Sequence, residues 1–271
     1  MRKHLYVAGT DLATYGVYVS GQGTFGAPSK DVTTYSVPGR NGLILGVNER
    51  MENIQVTYPC FIYTNFETNM RNLRSFLLSQ TGYVKINDDY DTTHFRMGFF
   101  EAGIDPDVTE KNDAGSFNLT FNCQPQRWLD SGQTKTVITT ATDFVNSTLF
   151  DAKPFYRINY ISSPAGGFSL MTRKGTSGNP GYVRTDITVS TTIATTTVSY
   201  IDLDCETMQA YCGDINLSAH ISVDYEAYGQ TSINDIADFP VLKPGTNRVG
   251  LITFGTSPVQ DVEVTPRYWE V

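Results

Sequence analysis

Only one stretch of this 271-residue chain carries the period of an amphipathic helix, and that scarcity constrains the fold more than any other feature. Phe66, Met70, Leu73 and Leu77 recur every three or four positions, so they share one stripe of a helix over about 65–80. Thr64 and Glu67 have the spacing of a capping box, and Gly82 supplies a stop. A helix with a single apolar stripe should pack on a sheet, and its surroundings offer strands.

Before the helix, Ile54, Val56, Tyr58, Cys60 and Ile62 alternate with more polar neighbours, the period of a strand with one buried face. After it, "YVKINDDYDTTHFRMGFF" reads as a hairpin with Thr93, Phe95, Met97 and Phe99 on one face and a turn built from Asn87, Asp88 and Asp89. Phe117, Leu119, Phe121 and Cys123 alternate again. Pro125, which cannot donate to a ladder, is expected to stop that strand, and the polar run around it places a domain boundary near residue 130. Beyond it no helical period returns. The segments "FYRINYI", "YVRTDITVS", "TTTVSYIDLD", "HISVDYEAY", "NRVGLITF" and "VQDVEVTPRYW" are spaced like the strands of an antiparallel β-sandwich of jelly-roll or lectin-like type. The biased run "VSTTIATTTVSY" suits strands better than a linker, because β-branched residues favour pleated surfaces. In "LKPGTN", Pro244 and Gly245 meet the demands of a type II turn. The reading is a mainly β protein, with domain 1–130 holding the one helix and domain 131–271 a β-sandwich.

Charge and motifs narrow the function classes. Twenty basic against 28 acidic side chains leave a net charge of -8 with no Lys or Arg run, which disfavours tight nucleic-acid binding. No window approaches the ~20 apolar residues of a spanning helix, and Asp11 interrupts any signal-peptide core, so a soluble, unsecreted protein without membrane insertion is expected. Cys60, Cys123, Cys205 and Cys212 have no zinc-site spacing and are expected to be buried or free thiols. Gly21, Gly23 and Gly26 match the glycine pattern of a dinucleotide loop, but no helix follows to receive a pyrophosphate, so a loop is expected. His4, His94 and His220 lack a second histidine or an acid at metal-binding spacing. Asp88, Asp89 and Asp91 lack the central glycine and distal glutamate of a calcium loop, and read as a solvated turn. Asp202, Asp204 and Glu206 are the only hint of paired carboxylates for hydrolysis. The sequons at Asn118, Asn146 and Asn216 read as chance. No nucleophile elbow, phosphate loop or zinc-protease helix occurs, so no catalytic residue, metal or cofactor is assigned and a structural or binding role comes first.

Several segments together resemble the distal tail proteins of siphophages, the hubs at the tips of long non-contractile tails. They are "SVPGRNGLIL", the helix "FETNMRNLRSFLLSQTG", the hairpin "YDTTHFRMGFF", "FNLTFNCQPQRWL", "SYIDLDCETMQAY", "DFPVLKPGTNRVGL" and the closing "TPRYWEV", in order over almost the whole chain. The resemblance implies a homo-hexameric ring in the virion tail tip, assembled in the host cytoplasm. Its first domains would surround a channel continuous with the tail tube, and galectin-like β-sandwiches would project outward. The implied partners are the major tail tube protein on one side and tail-associated, fibre or receptor-binding proteins on the other, with DNA passing through unread.

A closed ring needs two different patches of each subunit to meet. Residues 20–50, rich in Gly, Pro and Thr, are the best candidate for an arm that reaches a neighbour, with Pro38, Gly39, Arg40, Asn41 and Gly42 at its tip. The alternative role is carbohydrate binding by the second domain, for which Tyr211, Tyr225 and Tyr228 are the candidate stacking residues.

Overall fold

The structure, a computed structural model, describes residues 2–21, 26–109, 113–160, 168–189, 198–230, 238–253 and 259–271. The chain divides into two compact units, Met1–Trp128 with Val271, and Leu129–Glu270.

The first unit contains β1 (Leu5–Val7), β2 (Thr10–Asp11), β3 (Val17–Val19), β4 (Lys30–Ser36), β5 (Leu43–Met51), β6 (Ile54–Ile62), α1 (Phe66–Ser79), β7 (Val84–Asp88), β8 (Asp91–Phe100), β9 (Asp107–Thr109) and β10 (Ala114–Leu129). One sheet runs β2-β1-β7-β8-β10-β6-β3, with β9 alongside β10. The register of β6 against β10 sets Val56 opposite Phe121, Tyr58 opposite Leu119 and Cys60 opposite Phe117, so the alternating positions of both strands bury together. Phe66, Met70, Leu73 and Leu77 of α1 cover this face, as their stripe requires.

Two expectations for this unit need correction. The capping box does not form. Asn65 caps α1 in the left-handed region (φ 52, ψ 44) without a side-chain bond, and Glu67 turns instead to Arg71 at 2.8 Å. The Phe66 amide donates to Asp113 Oδ1 at 3.0 Å, so a carboxylate 47 residues away supplies the cap and also suits the positive helix N-terminus. On β8, Phe95, Met97 and Phe99 do share one face, and the opposite face, with Arg96, Gly98 and Phe100, is the one turned to the core. Arg96 pairs with Ile86 in register, and a Cβ at Gly98 would lie 2.6 Å from Cys123 Sγ, whereas Phe95 meets Lys85 Nζ and Phe99 packs edge-on to Tyr83. Both faces are thus partly apolar. Finally, Pro125 does not end β10, which runs on to Leu129. The last β6 pair is Cys123 with Ile54, so no β6 residue stands opposite Pro125.

The second unit contains β11 (Thr136–Ile138), β12 (Thr142–Asn146), β13 (Phe155–Tyr160), β14 (Phe168–Lys174), β15 (Val183–Val189), β16 (Tyr200–Asp204), β17 (Gln209–Cys212), β18 (Ile215–Asn216), β19 (Ile221–Ala227), β20 (Gly245–Thr253) and β21 (Val259–Thr265). They form two antiparallel sheets, β11-β21-β13-β16-β17-β18 and β12-β20-β14-β15-β19. Tyr156, Ile158, Leu203 and Val262 of one sheet and Leu170, Ile187, Val223 and Val249 of the other meet in a single core, which makes the unit a β-sandwich. All four cysteines are buried and unbridged. Burial pushes the Cys60 and Cys123 thiols up to about 12. Most of the run "VSTTIATTTVSY" lies outside the described residues.

Candidate functional site

β4 and β5 form a two-stranded sheet of their own, with Ser36 opposite Leu43, Tyr35 opposite Ile44 and Thr34 opposite Leu45. At its tip the Arg40 amide donates to the Val37 carbonyl at 3.2 Å, and Gly39 has φ 82. With Pro38 in the second position this is a type II turn, in which only a residue tolerant of positive φ fits the third. Gly42, at φ 83, makes the second reversal and Asn41 leads into it, so Arg40 stands exposed between two fixed bends.

The hairpin's apolar side chains are exposed on both faces. Leu43 and Leu45 are 59% and 61% exposed on one, and Tyr35 (57%) and Ile44 (38%) share the other. None of them belongs to either hydrophobic core. An isolated two-stranded hairpin is marginal in water, and contiguous apolar surface of this kind marks an interaction site.

The acidic motifs are structural. Asp88, Asp89 and Asp91 do not form a solvated turn. Asp88 is buried and accepts the Tyr90 and Asp91 amides at 2.8 and 3.2 Å, while Asp89 accepts the His4 amide at 3.0 Å and the Tyr6 hydroxyl at 3.3 Å. Asp91 takes the Thr93 amide and hydroxyl and pairs with His94 (2.9 Å) and Arg127. His4 has its own acid, Asp11, at 2.8 Å, so two histidines find carboxylates that spacing alone did not reveal. Burial would raise the Asp91 carboxyl, but hydrogen bonds from His94 and Thr93, with the charge of His94, outweigh it and hold it at about 2. A depressed folded pKa stabilises above the unfolded value of about 3.9 and is lost as pH falls through the folded value. Acid titration followed by circular dichroism is therefore expected to show stability lost between about pH 4 and about pH 2, and Asp91→Asn should flatten the curve in that window.

Asp202 and Asp204 are both held by arginines. Arg157 donates Nε and an Nη to Asp202 at 2.7 Å each, and Arg267 donates to Asp204 at 2.6 and 3.3 Å. Although burial would raise it, Arg267 holds the Asp204 carboxyl below its ordinary value. Glu206 lies 3.6 Å from Lys153. Asn146, in one sequon, is buried and donates to the Phe150 and Leu242 carbonyls at 2.8 Å, so it holds a turn rather than a glycan. Of the glycine motif, Gly23 lies outside the described residues, and the first element described after Gly26 is β4.

One end of the sandwich opens into a cavity of about 530 Å³, lined among others by Lys153, Lys174, Tyr225, Phe239 and Lys243. Two of its lining residues, Lys243 and Asn247, flank the Pro244–Gly245 bend, where Gly245 has φ 92 and the Asn247 side chain bridges Lys243 and Gly245 with bonds of 2.7 to 3.0 Å. Of the three candidate tyrosines only Tyr225 reaches this cavity. Tyr211 is half-buried on β17 opposite Asp202, and Tyr228 lies exposed after β19. The lysines around the cavity were not legible as a group, since they come from three separate segments.

Comparison with solved structures places the whole chain in a known architecture. The crystal structure of the Dit protein of phage SPP1, described as a paradigm of the hub of the adsorption apparatus in phages infecting Gram-positive bacteria, superposes with a TM-score of 0.62 at 16% identity, over 97% of this chain and 98% of that one. Chains from the activated baseplate of phage p2, with strontium or calcium, give TM-scores of 0.49 and 0.48 at 12% and 13% identity, again over 97% of this chain and 96% and 97% of theirs. No family model and no curated protein sequence matches. The chain thus has the fold of the SPP1 Dit protein.

Proposed function

We propose that the chain is a structural hub of a bacteriophage tail tip, without catalytic activity, that assembles as a hexameric ring between the tail tube and the host-attachment apparatus. The observation that carries this reading is the β4–β5 hairpin, whose Leu43, Leu45 and Tyr35 are exposed and belong to neither core of their own chain. A repeated neighbour in a closed ring covers such a surface once per subunit. The SPP1 fold supports the same reading, because that protein is a hub of the adsorption apparatus. In this arrangement Arg40, with Pro38, Gly39, Asn41 and Gly42, docks on an acidic or carbonyl-rich surface of the adjacent subunit. The turns order it beforehand, so little freedom remains to be lost on docking. The ring's channel passes DNA without reading it, and the net charge of -8 suits a wall that does not retain phosphates.

Native mass spectrometry and electron microscopy of the purified protein test the proposal, with six-fold rings expected. Arg40→Glu should lower ring yield at equal protein concentration while leaving the monomer's melting curve in place. An unchanged hexamer population in that variant would remove Arg40 from the interface, and the absence of any ring with or without the tube protein would overturn the hub reading.

A further inference from the structure

We infer that the cavity at the end of the second unit's sandwich binds a sugar-sized anion, a polyhydroxy ring carrying a phosphate or carboxylate. The inference does not depend on the hub role.

Its first support is the way the core ends. Along the inner face of the five-stranded sheet, Leu170 gives way to Thr172 and Lys174, Ile187 to Thr185, Val223 to Tyr225, and Val249 to Asn247. Over two successive registers, apolar core on four adjacent strands gives way to hydroxyl, ammonium, phenol and amide groups, with Val183 the apolar residue that remains in the lining. The space left there, about 530 Å³, lies in the range of small-ligand sites.

The second support is charge. Lys153, Lys174 and Lys243 line the cavity against one carboxylate, Asp238, in a chain whose net charge is -8, while Arg173, which alternates with Thr172 and Lys174 on β14, turns its side chain to the other face of the sheet. Lys174 donates to the neutral Pro244 carbonyl at 2.5 Å and has no carboxylate partner among the described residues. Lys153 and Lys243 meet acids, Glu206 at 3.6 Å and Asp151 at 3.2 Å, that stand outside the lining. A cavity with surplus positive charge and low-dielectric walls concentrates anions.

Third, the walls are not those of a bare anion site. Tyr225 and Phe239 add aromatic surface, and Met208 lines the cavity at 49% exposure with its backbone held at φ 54, a conformation costly for a side chain of its kind. A free phosphate would leave this apolar surface wet, and a neutral sugar would leave Lys174 without a counter-charge. An anionic sugar meets both.

Isothermal titration of the full chain with glucose 6-phosphate, glucuronate, glucose and inorganic phosphate tests the site. Glucose 6-phosphate or glucuronate is expected to bind at least about tenfold more tightly than glucose or phosphate, and Lys153→Glu and Tyr225→Ala are each expected to weaken it at least about tenfold. Lys153 is half exposed, so its variant tests the site without threatening the fold, and a melting curve checks Tyr225→Ala. No heat with any probe up to about 10 mM, equal affinity for glucose, equal affinity for phosphate, or binding indifferent to Lys153→Glu would each overturn the inference.

Discussion

Replacing both Leu43 and Leu45 with Asp is expected to abolish ring assembly while moving the melting temperature of the free chain by no more than about 2 °C. The two leucines sit on one face of the β4–β5 hairpin, 59% and 61% exposed and in contact with neither core, so the monomer has little packing to lose. In a docked ring the same side chains would be covered, each contributing about 1.5–3 kcal/mol by burial alone. Their loss, together with the cost of bringing two carboxylates into an apolar contact, predicts a more than hundredfold weaker subunit association, since about 1.4 kcal/mol is tenfold. Analytical ultracentrifugation separates the outcomes. Rings surviving at wild-type concentration would show that the hairpin is not a subunit contact, and a large fall in melting temperature would show that it packs within its own chain after all.

The hairpin's tip is legible in part because turn chemistry is local: Pro38 presets φ at the second position of a turn and Gly39 supplies the positive φ that a type II turn needs at the third. Strands with one buried face were legible for a related reason. β6 and β10 keep strict alternation because each buries a single face against one core, and their registered pairs repeat it. β14 is hard to read because it is a central strand between β15 and β20 that is buried on both faces, with Thr172 on the core face and Ser169 on the other. Their hydroxyls are satisfied by Thr188 at 2.7 Å and Tyr156 at 3.1 Å, partners that only tertiary structure supplies. The same holds for the α1 cap from Asp113 and for the inward face of β8, where Arg96 and Gly98 line the core while the more apolar set lies opposite. The cavity shows the limit most plainly. Lys153, Lys174, Tyr225 and Lys243 have no common motif, and only sheet register and the Asn247-braced turn bring them to one wall. Tyr211, on β17 opposite Asp202, and Tyr228, exposed after β19, lie outside the cavity's lining, because residue type alone carries no position.

The acids that most invited a catalytic reading lead to the second large effect. Asp202 is 3% exposed and directly opposite Arg157, whose guanidinium grips both its oxygens and lies 4.5 Å over the Tyr200 ring. The hydrogen bond to Asp202 raises the Arg157 pKa further above its ordinary value, so the guanidinium stays charged at any working pH. Asp202→Ala leaves the guanidinium without its partner in a half-covered position, which is expected to cost about 3 kcal/mol, at the low end for a broken buried pair because Arg157 keeps some water. In a unit of this size that is a fall of roughly 10 °C in melting temperature by calorimetry. The double variant Arg157→Leu with Asp202→Val is expected to recover most of the loss, because two apolar side chains carry no unpaired charge. A catalytic acid would behave in the opposite way, tolerating its own removal without loss of stability. A full-strength melting transition in Asp202→Ala would therefore restore the hydrolytic reading that the arginine pairing now displaces.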